Sequence, residues 1–224
     1  YPNTEIATPQ LVVADTRLAL GQLAKWLREK INPHTVAMTG SSGKTTVKEM
    51  TASILQQTAG NPEAVLFTNG NFNNDIGVPL TLLRLTEQHK FAVIELGANH
   101  LGEIDYTTHL AQPEAALVNN VAAAHLEGFG SFEGVIRTKA ELYDYLKAHQ
   151  KTIIYNADDT LQQQLVEGYA NVYSFGTTDE VNVPVVCVAV QPVSIRFSEG
   201  AVLQTEEPAT KDLPYIDTTI KGFS

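Results

Sequence analysis

The chain has 224 residues, 43% of them hydrophobic, which is enough to build one large domain with a sizeable core. Its 15 basic and 25 acidic residues give a net charge of -10, which argues against nucleic acid or an anionic membrane surface as the main partner. A single cysteine, Cys187, excludes an internal disulfide, and no segment reaches the roughly 18 apolar residues of a membrane span, so we expect a cytoplasmic protein without membrane insertion.

The first elements are two helices separated by a short strand. Residues 11–14 have the pattern of a strand end, and Asp15 that of a helix N-cap. A β-type run at residues 35–38 then leads into a second helix that begins at Lys44. Both helices carry apolar residues at helical spacing, which we expect to be buried. These residues are Leu20, Leu23, Ala24, Leu27 and Ile31 in the first helix, and Val47, Met50, Ile54 and Leu55 in the second.

The segment between the strand and the second helix, residues 39–46, reads TGSSGKTT and is typical of a phosphate-binding loop. Gly40 and Gly43 allow the backbone to turn tightly and point its N–H groups at phosphate oxygens. Lys44 can neutralise the phosphates, and the hydroxyl of Thr45 can ligate the accompanying magnesium ion. Only two residues separate the glycines, where the usual pattern has four. The alternative, a Gly/Ser turn that merely starts a helix, does not explain the lysine and the paired threonines.

The rest of the chain alternates between helices and strands. An asparagine-rich loop at residues 68–77 precedes a short helix opened by Pro79, and a nearly continuous apolar run at residues 91–96 suits a central parallel strand. Helices at residues 102–111 and 132–149, strands at 114–119 and 152–155, and a helix capped near Asp158 follow. This order predicts an α/β fold of the P-loop type, with a mostly parallel sheet flanked by helices and ligands at the carboxyl ends of its strands.

The pattern changes after residue 180. Short extended runs at residues 181–190 and 193–197 predict antiparallel strands added to the sheet near the C-terminus. Residues 201–224 are polar and show no period, so we expect a poorly defined tail.

Three residues are candidates for chemistry, each with a structural alternative. Glu95 ends an apolar strand, where a buried carboxylate needs a cation or hydrogen bonds, unless the strand ends earlier and the side chain is solvated. His125 follows the strand that ends at Asn119, and it could be a metal ligand or a structural histidine. Lys139 borders the apolar stripe of its helix, so it could extend into water or remain semi-buried and form a carbamate with carbon dioxide.

These segments together resemble the Mur ligase family, the ATP-dependent amide-forming enzymes of peptidoglycan precursor synthesis. The shortened phosphate loop is the family's own form. The asparagine loop and the GANH segment most resemble the member that adds D-alanyl-D-alanine to UDP-N-acetylmuramoyl-tripeptide. The matching segments are 39–46 (TGSSGKTT), 71–83 (NFNNDIGVPLTLL), 95–100 (ELGANH), 125–131 (HLEGFGS) and 156–159 (NADD).

The resemblance implies a role for each matching residue. Activity would proceed through an acyl phosphate formed with ATP, with one or two Mg²⁺ ions and a carbamoylated Lys139. The implied catalytic residues are Lys44, His125 and Lys139; the nucleotide contacts are Gly40, Ser41, Ser42, Gly43, Lys44, Thr45, Thr46 and Asn156. The implied metal ligands are Thr45, Glu95, His125 and Lys139, and the implied substrate contacts are Asn73, Asn74, Asn99 and His100.

The family has three domains, and this chain is predicted to be incomplete. Residues 1–14 would be the end of the N-terminal UDP-substrate-binding domain, residues 15–200 the central ATP-binding domain, and residues 201–224 the tail, with the C-terminal ligase domain absent. We therefore expect a monomer that binds ATP weakly and ligates poorly or not at all by itself. Three alternatives remain: another Mur or folylpolyglutamate synthase-like ligase, a P-loop phosphotransferase, and a non-catalytic binding module.

Overall fold

The structure is a computed structural model that describes residues 8–122, 129–177 and 181–184. Helices and strands alternate along almost the whole of this part of the chain. The helices are Thr16–Ile31 (α1), Lys44–Ala59 (α2), Gly77–Leu82 (α3), Glu103–Ala111 (α4), Phe132–Ala148 (α5) and Thr160–Val166 (α6), with a 3₁₀ turn at Pro62–Ala64. The strands are His34–Thr39 (β1), Val65–Phe67 (β2), Phe91–Glu95 (β3), Ala115–Val118 (β4), Thr152–Asn156 (β5), Val172–Gly176 (β6) and Val183–Pro184 (β7).

The seven described strands form one sheet in the order β2-β3-β1-β4-β5-β6-β7, and every neighbouring pair is parallel. The carboxyl ends of the strands therefore lie along one edge. β1 lies between β3 and β4, with Met38 in register with both Glu95 and Leu117. The residues that follow these three strands are consequently brought together, as expected for a ligand site in a parallel α/β sheet.

Helices cover both faces of the sheet because successive strand residues point to opposite sides. On one face, Met38, Val65 and Val93 form a cluster with Ala52 of α2. The alternate strand residues belong to a larger cluster that also receives side chains from α1, α3, α4 and α5. Burial of apolar side chains on both faces explains why β3 is a continuous apolar run up to Glu95.

Local signals account for several element boundaries. Asp15 caps α1 as predicted, since its Oδ1 accepts hydrogen bonds from the backbone N–H groups of Arg17 (2.8 Å) and Leu18 (3.0 Å), and these bonds lower the pKa of Asp15. The helix predicted to be capped near Asp158 is α6, whose capping carboxylate belongs to the neighbouring residue, Asp159. α3 begins at Gly77, two residues before Pro79.

The prediction of antiparallel strands was wrong for the part of the C-terminal region that is described. β7 pairs parallel with β6, with Gly176 in register with Pro184. The second predicted run, 193–197, and the tail from 201 lie outside the described residues. The strand end predicted at residues 11–14 is also wrong, because Leu11 is 78% exposed and this segment joins no strand.

None of the helices in the described part of the chain combines the length and apolar character needed to span a bilayer.

Candidate nucleotide and metal site

The predicted phosphate loop connects β1 to α2 at the edge formed by the strand ends. Gly43 is the N-cap of α2 with φ 73°, and Gly40 has φ 150°, conformations that favour glycine. A Cβ on Gly43 would lie 2.6 Å from Nδ2 of Asn119, and one on Gly40 would lie 2.8 Å from Cβ of the same asparagine. The loop therefore requires glycine at both positions, for its backbone conformation and for its close contact with the end of β4.

Two asparagines after β4 hold the loop. Asn119 Nδ2 donates to the carbonyl of Ser42 at 2.7 Å, and Asn120 Oδ1 accepts from the N–H groups of Ser41 (3.1 Å) and Ser42 (2.9 Å). A phosphate that used these two N–H groups would have to replace Asn120 as their acceptor. Asn119 was expected at this edge from the sequence, but Asn120 was not identified. Its position directly after a predicted strand was the available signal.

The amino end of α2 is open to an anion. Gly43 has no side chain with which to cap the helix, so the positive end of the helix dipole faces the loop. Nζ of Lys44 donates to the carbonyl of Gly40 at 2.8 Å, which places the ammonium group over the loop. The backbone amides, the dipole and the lysine thus concentrate positive potential at one point, as phosphate recognition requires.

Glu95 is buried beside this point. Only 2% of the residue is exposed, so the alternative of a solvated carboxylate is wrong. Oε2 accepts a hydrogen bond from the hydroxyl of Thr45 (3.1 Å), and Oε1 accepts one from Nδ2 of Asn73 (2.7 Å). The backbone N–H of Glu95 donates to Oγ1 of Thr68 at 3.0 Å. These contacts fix a carboxylate and a hydroxyl next to the phosphate loop, which is a donor pair suited to Mg²⁺.

A second lysine of α2, Lys48, is fully buried next to these residues. Its Nζ donates to the carbonyl of Thr68 at 2.7 Å, forms an ion pair with Glu49 at 2.8 Å, and lies 5.9 Å from the ring centroid of Phe67. The carbonyl of Thr68 thus accepts a hydrogen bond from Lys48, while its hydroxyl oxygen accepts one from the backbone N–H of Glu95. Lys48 was not identified from the sequence as a site residue.

Lys139 on α5 also reaches this edge. It is 4% exposed, and its Nζ is 3.4 Å from Oγ1 of Thr39, the last residue of β1. The alternative in which the side chain extends into water is therefore wrong. Burial and, to a lesser extent, the nearby charge of Lys44 lower the pKa of Lys139 to about 8, against the opposing effect of Glu141. A neutral amine is consequently accessible close to physiological pH.

His125 lies outside the described residues, so the structure gives no distance between His125 and Lys139. Among residues 8–122, 129–177 and 181–184, no three His, Cys, Asp or Glu side chains come together as a metal cluster. Protein ligands from this part of the chain would therefore need substrate or water oxygens to complete a magnesium site.

Of the predicted substrate contacts, the two loop asparagines have different surroundings. Asn73 binds Glu95, and its carbonyl accepts from the N–H of Gly97 at 2.8 Å. Asn74 instead bonds to the backbone at the start of α3, since its Oδ1 accepts from the N–H groups of Ile76 (3.3 Å) and Gly77 (2.8 Å). Asn74 thus has a local structural function in addition to any contact with a ligand.

Asn99 and His100 form the exposed turn before α4. Oε2 of Glu103 accepts from their N–H groups at 2.8 and 3.3 Å, and Nδ1 of His100 lies 2.9 Å from Oε1 of Glu103. Burial opposes the charged form of Glu103, but these hydrogen bonds outweigh it and lower its pKa. From α5, Glu141 accepts from the N–H groups of Gly102 (2.6 Å) and Asp105 (2.9 Å).

Asn156, the predicted adenine contact, ends β5. Its Oδ1 accepts from the N–H of Asp158 at 2.9 Å, forming a local turn, and its own N–H donates to Oε1 of the buried Gln162 at 3.2 Å. Because β5 lies beyond β4 in the sheet, Asn156 is two strands away from β1 and the phosphate loop.

Comparison with known proteins supports a single family. The sequence profile described as the Mur ligase middle domain matches residues 38–202. A UDP-N-acetylmuramoyl-tripeptide–D-alanyl-D-alanine ligase of Haemophilus influenzae is 75% identical over 152 residues, covering 68% of this chain and 33% of the relative. The enzyme of the same name from Escherichia coli is 58% identical over 173 residues, covering 76% of this chain and 37% of the relative.

Solved structures agree with this similarity. A crystal structure of MurF from Acinetobacter baumannii matches with a TM-score of 0.71 and 45% identity, covering 79% of this chain and 38% of that one. MurF ligase from Thermotoga maritima in complex with ADP matches with a TM-score of 0.71 and 28% identity, covering 87% of this chain and 43% of that one. The chain thus spans about one third of the length of the two curated relatives.

Proposed function

Because the chain belongs to the Mur ligase family, as its sequence motifs predicted, we propose that it is the ATP-binding part of a ligase that joins D-alanyl-D-alanine to UDP-N-acetylmuramoyl-tripeptide. The observation that carries the proposal is the contact between Thr45 and Glu95 beside the phosphate loop. The high identity to ligases of that name supports the choice of substrates within the family.

The proposed nucleotide site consists of the loop from Gly40 to Thr46. Its amides and the ammonium group of Lys44 would bind the phosphates, and the similarity to a relative in complex with ADP supports this assignment. Asn156 is proposed as an adenine contact on the family resemblance. Binding of ADP to the isolated chain, weakened or abolished in Lys44→Ala, tests the nucleotide site without any ligase activity.

The proposed magnesium site uses the hydroxyl of Thr45 and the carboxylate of Glu95. Mg²⁺ takes oxygen ligands and is usually held by one or two carboxylates together with phosphate oxygens, so this pair of a buried carboxylate and an exposed hydroxyl fits the ion. When bound, the ion would neutralise charge on the phosphate oxygens.

A second metal position is proposed at Lys139 and His125. An uncharged Nζ can form an N–C bond with carbon dioxide and lose a proton, giving a carbamate whose oxygens are anionic ligands. The burial and lowered pKa of Lys139 favour this chemistry. The proposal requires His125, which lies outside the described residues, to approach Lys139.

In the proposed reaction, a carboxylate oxygen of the tripeptide attacks the γ-phosphorus of ATP, and the bond to ADP breaks. The amine of D-alanyl-D-alanine then attacks the carbonyl carbon of the acyl phosphate, an amide forms, a proton is lost and phosphate leaves. The chain contributes positive charge and placement and no side-chain nucleophile. Asn73, Asn74, Asn99 and His100 are the proposed contacts to the UDP-sugar-peptide.

The proposed whole protein contains more than this chain. Residues 1–14 are assigned to the end of a UDP-substrate-binding domain, residues 15–200 to the ATP-binding domain and 201–224 to a tail, with the C-terminal ligase domain outside the chain. We propose that the whole protein is a monomeric cytoplasmic enzyme of peptidoglycan synthesis and that nucleic acid is not one of its partners.

An amide-formation assay tests this function. This chain would be assayed alone and joined to the flanking parts of the Haemophilus influenzae relative, with ATP, Mg²⁺, UDP-N-acetylmuramoyl-tripeptide and D-alanyl-D-alanine. We expect ADP, phosphate and the pentapeptide product from the joined protein, and little or no product from the chain alone. ATP consumption that depends on a different amino-acid acceptor would indicate a sibling ligase, and full turnover by the chain alone would contradict the predicted incompleteness.

A further inference from the structure

The carboxylate of Glu141 bonds to the backbone of a different helix. It projects from α5, and its two oxygens accept hydrogen bonds from Gly102, the N-cap of α4, at 2.6 Å and from Asp105, in the first turn of α4, at 2.9 Å. Charge-assisted hydrogen bonds of this kind are stronger than neutral ones and restrict geometry. Glu141 therefore fixes where the turn before α4 lies relative to α5.

A local carboxylate already serves the end of α4. Glu103 binds the N–H groups of Asn99 and His100 from within the same turn, and Asp105 adds a second negative charge to the first turn of the helix. Charge compensation of the helix end thus does not require Glu141. What Glu141 adds is a connection across 36 to 39 sequence positions between the turn and α5.

α5 carries Lys139 two residues before Glu141. Since helical residues two apart point to nearly opposite sides, Lys139 reaches Thr39 at the nucleotide site while Glu141 reaches Gly102. α5 consequently joins the proposed reaction centre to the turn that presents Asn99 and His100.

An open cavity of about 500 Å³ lies where this connection is made. Its lining includes Leu101, Gly102, Arg137 and Glu141, so the turn and α5 form adjoining parts of one surface. A shift of the turn against α5 would change the shape of this surface without touching the phosphate loop.

We propose that Glu141 is a positioning residue for the UDP-sugar-peptide. It holds the turn that contains Asn99 and His100 at a fixed position relative to Lys139. This inference rests on the proposed function. Displacements of about 1 Å of a substrate-positioning group can reduce catalytic efficiency up to a hundredfold. Loss of the Glu141 contacts should therefore weaken use of the UDP-sugar-peptide and leave use of ATP unchanged.

The test uses the protein with its flanking domains restored and compares Glu141→Gln with Asp144→Asn. Asp144 lies on the same helix, is exposed and lines the same cavity, so its variant removes one negative charge from that surface without disturbing the α4 amides. We expect Glu141→Gln to raise KM for UDP-N-acetylmuramoyl-tripeptide about tenfold to a hundredfold, with KM for ATP within about twofold of wild type. Asp144→Asn should change neither KM.

A shorter carboxylate gives a second, milder variant. Glu141→Asp keeps the charge and should show an intermediate rise in KM for the UDP-sugar-peptide, even if Glu141→Gln does not fold. Equal rises for both substrates, or lower thermal stability with unchanged KM values, would show that Glu141 is a structural contact only. If the wild-type protein ligates and the variants keep its KM values, this inference fails alone; if the wild type does not ligate, the proposed function fails.

Discussion

The hydroxyl of Thr45 donates a 3.1 Å hydrogen bond to Oε2 of Glu95, although fifty positions separate the two residues. The sheet explains this contact. Glu95 is in register with Met38, so it ends β3 at the level where β1 enters the phosphate loop, and Thr45 lies in the first turn of the helix that follows. A second donor, Asn73, holds the other carboxylate oxygen. Two neutral donors thus orient the carboxylate.

Thr45→Val is expected to weaken magnesium-dependent nucleotide binding. The substitution keeps the size of the side chain and removes the hydroxyl that would ligate the ion. ADP affinity in the presence of Mg²⁺ should fall about tenfold or more, equivalent to about 1.4 kcal/mol. Affinity in EDTA should stay close to that of the wild type, and calorimetric titrations under both conditions measure the difference.

Thr58→Val is the matched control for this experiment. Thr58 lies on the same helix and its hydroxyl donates to the carbonyl of Ile54 at 2.9 Å, far along α2 from the loop. Its replacement should change ADP affinity in neither condition. A Thr45→Val protein that lost equal affinity with and without Mg²⁺ would assign Thr45 to the loop structure and remove it from the metal site.

Much of the architecture could be predicted from local signals. The Asp15 cap, the glycine-rich loop and the apolar run before Glu95 each depend on residues close in sequence. The strands β2 and β6 were not predicted, because Val65–Phe67 is only three residues long and Val172–Gly176 exposes Tyr173. Strand direction at β7 could not be predicted either, since an extended run can pair in either direction and only its neighbour decides which.

The burial of α2 shows a different limit. Met50 and Ile54 were predicted to be buried, yet both are 61% exposed, whereas Lys48 is fully buried. The carbonyl of Thr68 stabilises the lysine in this position. Hydrophobic spacing does not reveal such a partner, because Thr68 lies in a loop 20 positions later.

The candidate site was predicted as a set of motifs, but not as a network. Glu95 and Lys139 could be chosen because each is a charged residue in or beside an apolar pattern. Asn120 directly follows a predicted strand, but the partners of Asn120 and Glu141 could not be predicted, since each acts on backbone groups of a different element, 36 to 79 positions away. Contacts of this kind follow from strand order and helix packing, which spacing along one sequence does not determine.

Gly43→Ala is expected to cost more than Gly60→Ala, although both glycines have positive φ. The two angles are 73° and 63°, so each variant should lose about 1 kcal/mol or more of unfolding free energy through backbone strain. Only at Gly43 would the new Cβ also meet Nδ2 of Asn119 at 2.6 Å; at Gly60 nothing lies within 4 Å. Urea unfolding should show a larger destabilisation for Gly43→Ala than for Gly60→Ala. ADP titration should show weaker binding for Gly43→Ala and no change for Gly60→Ala. Equal effects of the two variants would contradict the close contact described for the loop.

Lys48→Ala is expected to destabilise the domain by about 2 to 4 kcal/mol. The change removes a fully buried side chain and its hydrogen bond to Thr68, which leaves a cavity and an unsatisfied carbonyl. Lys30→Ala provides the comparison, because Lys30 is exposed on α1 and should contribute less than about 1 kcal/mol. Urea unfolding curves measure both values, and a Lys48→Ala protein as stable as Lys30→Ala would show that the buried ammonium group contributes nothing.

The pH dependence of stability should reveal the buried amine of Lys139. Its pKa is about 8 in the folded protein, below the ordinary value of 10.5, so between these values the unfolded chain binds more protons. The free energy of unfolding should therefore rise with pH across this window, at up to about 1.4 kcal/mol per pH unit and by at most about 3 kcal/mol in all. Below pH 8 both states are protonated and the contribution of Lys139 is constant.

Urea unfolding in buffers free of carbon dioxide measures this pH dependence. The free energy of unfolding should rise between pH 8 and 10.5 in the wild type, and Lys139→Met should lose this rise. Lys30→Met, which removes an exposed lysine, should retain the rise; a Lys139→Met protein with the same pH profile as the wild type would mean that the amine is solvated.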